Sequence, residues 1–147
     1  MTDELPTSYA SQFDVVVRWG ETDAAGIAWS PHYFAWFDHA THALFEALGY
    51  PPHELLAGGR NSIPILHADA RFVRPATFGE RITIGTNLAE VRSRSVALEH
   101  FGTVDGELVV HGHEIRGFAE VKHGDRTQLQ LVPWPDDLAL AMMQRQI

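Results

Sequence analysis

Cysteine is missing from the 147 residues, which removes a thiol nucleophile, a disulfide framework and every thiolate zinc site. No apolar run approaches the about 20 residues that span a bilayer, and no basic leader precedes an apolar stretch, so the cytoplasm is the expected compartment. Positive charge is scarce. The 11 Lys and Arg stand against 19 Asp and Glu, a net charge of −8, which argues against a nucleic-acid partner because phosphates need a basic face. The nucleophile-elbow, phosphate-loop and dinucleotide patterns are missing too. There is no internal repeat and no linker, so one domain over 13–147 is expected behind a flexible tail, 1–12.

Within that domain the apolar residues change period once. Phe13, Val15, Val17 and Trp19 alternate with polar neighbours, which predicts a strand. Ser30-Pro31 then offers a capping oxygen followed by proline at the first helical position. From Tyr33 to Leu48, residues Tyr33, Trp36, Phe37, Ala40, Leu44 and Leu48 fall on one stripe, the signature of a helix packed into a core. Gly49 with Pro51 and Pro52 ends it. Alternation then resumes over 66–72, 82–88, 94–104, 108–121 and 127–132, with Asp105-Gly106 and Gly124-Asp125 placed for tight turns. A short helix over 136–145 closes the chain. This order predicts an α+β fold, an antiparallel sheet wrapped around one long helix.

The chemistry-bearing residues gather before that helix. Asp23 sits among Ala24, Ala25 and Gly26, and two readings fit it: a turn residue that binds its own backbone, or an acid with room beside it for a ligand. The helix starting at Ser30 turns unpaired amides toward the same loop, and an acid facing a helix end can attack an activated carbonyl. Glu21 is the second candidate acid. Trp29 adjoins the loop and suits the wall of an apolar pocket. Asp38 lies at the edge of the apolar arc, either as a paired acid or as a ligand contact. Arg92 and Arg94 flank Ser93 as a possible anion site. The pairs His39/His42 and His111/His113 have chelating spacing, but neither has an obvious third ligand nearby, so no metal is expected.

The run from Val17 to Gly49, "VRWGETDAAGIAWSPHYFAWFDHATHALFEALG", resembles the 4-hydroxybenzoyl-CoA thioesterase family of hot-dog proteins. The features that carry the likeness are Asp-x-x-Gly-Ile, x-Trp-x-Pro-x-Tyr and Trp-x-Asp, and "FVRPATFGERITI" and "EVRSRS" resemble the family's later strands. The resemblance implies a hot-dog fold and hydrolysis of an aromatic acyl-CoA, with 4-hydroxybenzoyl-CoA as first choice. It makes Asp23 the catalytic carboxylate and the Ser30 amide the group that polarises the carbonyl, at a position where the family has Tyr. It puts Trp29, Tyr33 and Asp38 at the acyl group, Asp38 on the ring hydroxyl, and Arg92, Arg94 and Ser95 at the nucleotide of coenzyme A across a subunit interface. It implies a homodimer or homotetramer with interfacial sites, and no cofactor. An aliphatic acyl-CoA, an acyl carrier protein substrate, or a non-catalytic acyl-CoA-binding role are the alternatives.

Overall fold

The structure, a computed structural model, describes residues 4–146; residues 1–3 of the expected tail and residue 147 lie outside them. Strand β1 (Ser11–Val16) begins before the expected start at Phe13. The tail boundary is corrected because Ala10 is already buried, its N–H shared between Thr86 O at 3.0 Å and Asn87 Oδ1 at 2.9 Å. β1 also stops short of Trp19. The chain turns there through a 3-10 segment, Trp19–Glu21.

Helix α1 spans Ser30–Ala47. Its N-cap is Trp29, with no side-chain cap among the described residues, so Ser30 is the first helical residue and not the cap. Proline at the second position still fits, since that N–H has no intrahelical acceptor. The helix ends as expected. Gly49 takes φ 89°, and the Gly49 and Tyr50 amides donate to Glu46 O and Phe45 O, both at 2.9 Å, which satisfies the last carbonyls. The buried face gains Thr41 and Phe45 over the expected stripe, while Leu48 is only half-buried.

After α2 (Pro52–Leu55) and the two-residue β2 (Asn61–Ser62) come β3 (Ile65–Phe72), β4 (Arg81–Val91), β5 (Ser95–Val104) and β6 (Glu107–Gly117). Among the described residues these strands and β1 form a five-stranded antiparallel sheet in the order β1-β4-β5-β6-β3. The β5–β6 turn is Asp105-Gly106, with φ values of 50° and 78°, the pair of positive angles a two-residue hairpin requires. The expected strand 108–121 is broken at Phe118, whose N–H donates to Arg94 O at 3.1 Å. Beyond it, β7 (Ala119–Val121) leaves the large sheet and pairs with β2 and β8 (Leu129–Leu131). In the β7–β8 turn the positive angles fall on His123 and Gly124 rather than on Gly124 and Asp125. The Asp125 carboxylate instead accepts from the Thr127 N–H and hydroxyl, which delays the strand expected from 127. Helix α3 is Asp136–Arg145.

The sheet curls around α1 as the hot-dog layout requires. At the first half of α1, Tyr33, Trp36 and Phe37 pack on Ile82, Ile84 and Val110; at the second half, Leu44 and Phe45 pack on Leu88, Leu98 and Leu138. Phe37 approaches the sheet so closely that a Cβ on Gly112 would lie 2.5 Å from its ring. No helix among the described residues is long and apolar enough to cross a membrane.

Candidate active site

The loop between β1 and α1 is a miniature hairpin. Trp29 N–H donates to Glu21 O, Asp23 N–H to Ile27 O, and Gly26 N–H to Asp23 O at 3.0 Å, closing a β-turn with Gly26 at φ 79°. Aspartate first and glycine last suit such a turn. Ala28 N–H ties the loop to Ala76 O at 2.8 Å. The two readings of Asp23 then coexist: Oδ1 accepts the Ala25 N–H at 2.8 Å, while Oδ2 has no hydrogen-bond partner among the described residues and the side chain is exposed. Glu21 differs. Its Oε1 accepts the Arg18 N–H at 2.9 Å and its Oε2 the Trp36 indole N–H at 3.1 Å, so both oxygens are committed to structure. Of the two acids, Asp23 keeps an oxygen available for chemistry.

The opening turn of α1 begins one residue past Trp29. The Ser30 amide has no acceptor among the described residues, and it carries the partial positive charge of a helix start. Trp29 is exposed and meets His32 edge-on at 5.8 Å. Tyr33 corrects the sequence expectation. It is 3% exposed, with its ring edge-on to Trp36 and Phe72 at 5.0 and 5.1 Å, so it is a core residue with no ring surface to offer a ligand. Burial pushes its phenol pKa up, against the Ala76 backbone and Arg74.

Asp38 stands eight residues into α1 from Ser30, about 12 Å along the axis at helical rise. Its Oδ1 accepts Arg116 Nη2 at 2.6 Å, and His42 Nε2 lies 3.7 Å from Oδ2. With Thr41, Phe45, Ile63 and Arg116 it lines a cavity of about 220 Å³, in which Asp23 takes no part. Behind Asp38 runs a buried polar chain that the sequence reading missed. Arg116 Nη2 donates to Glu114 Oε2 at 2.8 Å; Glu114 Oε1 accepts from Thr41 at 2.6 Å and faces His100 Nε2 at 2.7 Å; His100 Nδ1 meets the Thr86 hydroxyl at 2.8 Å. Burial opposes ionisation of Glu114, but His100, Arg116 and Thr41 outweigh it and hold its pKa at about 2. The signal was present: if His111 and His113 share one face of β6, Glu114 and Arg116 must point to the other, toward α1.

Arg92, Arg94 and Ser95 lie at the β4–β5 turn. Arg92 is paired with Glu90 at 2.9 Å, whereas the Arg94 guanidinium has no partner among the described residues. The structure does not bring these residues to Asp23. The Asp23 loop pairs with residues just before Arg81, at the start of β4, and the arginines follow its end at Val91, about 33 Å away at strand rise. The histidine pairs separate as well. His39 packs edge-on to Phe13 and His42 faces Asp38, but His111 and His113 do have a third group, Glu99 on β5, which corrects the premise that none was near.

A family model for the thioesterase-like superfamily matches residues 17–142. The 4-hydroxybenzoyl-CoA thioesterase of Pseudomonas sp. (strain CBS-3) is 33% identical over 80% of this chain and 87% of its own. The 1,4-dihydroxy-2-naphthoyl-CoA hydrolase of Synechococcus elongatus (strain ATCC 33912 / PCC 7942 / FACHB-805) is 30% identical over 76% of this chain and 78% of its own. Among solved structures, the gentisyl-coenzyme A thioesterase BH1999 superposes with a TM-score of 0.79 at 31% identity, covering 89% of this chain and 98% of that one. With a hot-dog fold, an acid-bearing loop ahead of its helix and a superfamily match across nearly its whole length, this chain belongs to the thioesterase-like superfamily.

Proposed function

We propose that this protein hydrolyses an aromatic acyl-CoA thioester, 4-hydroxybenzoyl-CoA by first choice, to the free acid and coenzyme A. The observation that carries the reading is the Asp23 carboxylate, fixed through Oδ1 and unpaired at Oδ2, on the loop that leads into the free Ser30 amide. The relatives named above act on hydroxylated aromatic acyl-CoAs, which supports the substrate class. A thioester carbonyl is already electrophilic. A carboxylate that attacks the carbonyl carbon, or that takes a proton from attacking water, and a helix-end amide that stabilises the resulting oxyanion are sufficient for its cleavage. In the nucleophilic route Oδ2 bonds to the acyl carbon, the C–S bond breaks to release the coenzyme A thiolate, and water cleaves the acyl-Asp23 anhydride. Rapid quenching of a single turnover of thioester labelled in its acyl group separates the routes, since only the anhydride leaves the acyl label on the protein.

Asp23 lies on the surface of the single chain and lines neither the cavity at Asp38 nor the one at Trp36 and His39. The pocket is therefore completed by a second subunit, which also brings its Arg92, Arg94 and Ser95 to the coenzyme A phosphates that this chain's own arginines, at the far end of β4, do not reach. Strand β3 is a sheet edge with Ile65 and Leu66 half-exposed, and an uncovered edge of this length is a natural pairing surface. Asp38, held by Arg116, then meets the ring hydroxyl, and Trp29 covers the ring.

The test is thiol release from a panel of aromatic and aliphatic acyl-CoAs by wild type and Asp23→Asn. The expected result is turnover of hydroxylated aromatic thioesters by wild type alone. Equal rates for both proteins would remove Asp23 from the chemistry, and faster turnover of aliphatic thioesters would overturn the substrate class.

A further inference from the structure

The sheet has a second face, turned away from α1, whose polar residues the thioesterase reading does not use. On adjacent strands, β5 and β6, it places Glu99, His111 and His113 together, with one ligand atom from each within 4.8 Å of the others. The local pattern makes this unavoidable. Alternate strand residues share a face, so His111 and His113 project side by side, and the β5–β6 register sets Glu99 directly opposite His113.

The three groups do not satisfy one another. His111 Nε2 is 3.7 Å from Glu99 Oε2 and His113 Nε2 is 3.9 Å from Glu99 Oε1, both too long for hydrogen bonds. His111 Nε2 is buried without a hydrogen-bond partner, a costly state for a polar atom. The rings are nonetheless held in place. His111 stacks on Phe101 with centroids 4.4 Å apart and planes 19° apart. His113 Nδ1 lies 3.1 Å from Asp69 Oδ1, and Asp69 is held in turn by His67 at 2.7 Å. An imidazole that donates from Nδ1 to a carboxylate presents its Nε2 lone pair outward, which is how metal-binding histidines are oriented.

We propose that Glu99, His111 and His113 form a binding site for a divalent transition metal of the zinc class, with Asp69 orienting His113 from behind. Two imidazoles and one carboxylate suit zinc and leave a fourth position for water. Ligand atoms around four-coordinate zinc stand about 3.4 Å apart, so small side-chain rotations close the present spacing. Arg71, opposite His111 on β3, is a cation beside this group; Glu99 and Asp69 offset it. The site clamps β5 to β6 on the face opposite α1, apart from the Asp23 loop, and its test does not depend on thioester hydrolysis.

The experiment is calorimetric titration of untagged, EDTA-stripped full-length protein with Zn²⁺, with Co²⁺ absorption as a second probe of coordination. The expected result is saturable binding of one ion per chain and a raised Tm in the presence of Zn²⁺. His111→Ala and Glu99→Gln are each expected to weaken binding more than 10-fold, and Asp69→Asn by about 10-fold, with His53→Ala, an exposed histidine on α2, unchanged. Glu99→Gln is isosteric and half-exposed, so it retains the fold, as its Tm in EDTA will show. No saturable binding by wild type, or equal binding by the His111→Ala/His113→Ala double variant, would overturn the site.

Discussion

Glu114 keeps its charge in the interior because every lone pair facing the protein is used. Its carboxylate takes Thr41, His100 and both Nε and Nη2 of Arg116, and Arg116 passes the order on to Asp38. A pKa of about 2 in the folded state, below the ordinary value of 4.5, means that the unfolded chain binds the extra proton first as pH falls. The stabilisation is complete above pH 4.5 and is lost on the way to 2, on the order of 3 kcal/mol. Urea unfolding of wild type and Glu114→Gln across that window tests this: wild type is expected to lose more stability with acid than the variant, and parallel curves would contradict it. The alternation along β6 could have turned Glu114 and Arg116 inward, but could not have named their partners. The members of this network are brought together from α1, β4, β5 and β6, whereas the conformation of the Asp23 loop was legible because its turn, its glycine and its helix start are neighbours in the chain.

Among the elements, α1 was legible almost to the residue, since its apolar stripe, its proline and its closing glycine are all local signals. What the sequence did not carry was pairing. β3 lies beside β6 rather than β4, and β7 leaves the large sheet at Phe118, because both choices depend on which partner's amides are free. The one-residue shift of the helix start matters for function. With Ser30 as the first helical position, the proposed oxyanion donor is its amide and not its side chain. Ser30→Ala is therefore expected to retain near-wild-type kcat. Ser30→Pro removes the N–H as well as the hydroxyl, at a position where proline fits a helix, and Trp29 before it already has the extended φ −71°, ψ 129° that proline requires. It is expected to lower kcat by about 10²–10³-fold with little change in Tm. Equal kcat for the two variants would show that this amide does not hold the oxyanion.

At the scale of the whole molecule, the Asp23 loop lies beside the start of β4 and Arg94 beyond its end, so the proposed site needs two copies of the chain. Mixing therefore becomes a test. Asp23→Asn and an Arg92→Ala/Arg94→Ala double variant are each expected to be impaired alone, and a refolded mixture is expected to regain activity, because one of the two sites in a mixed dimer then has both an intact acid and intact arginines. No recovery in a verified heterodimer would contradict a site whose acid and arginines come from different chains, and full activity of the arginine variant alone would place the arginines outside the site. The most direct measurement remains at Asp23, made on the assembled protein with binding and release followed in one sample of 4-hydroxybenzoyl-CoA. Asp23→Asn is expected to bind the thioester within a few-fold of wild type and to release coenzyme A about 10²–10⁴-fold more slowly; release at the wild-type rate would contradict a catalytic role for this carboxylate.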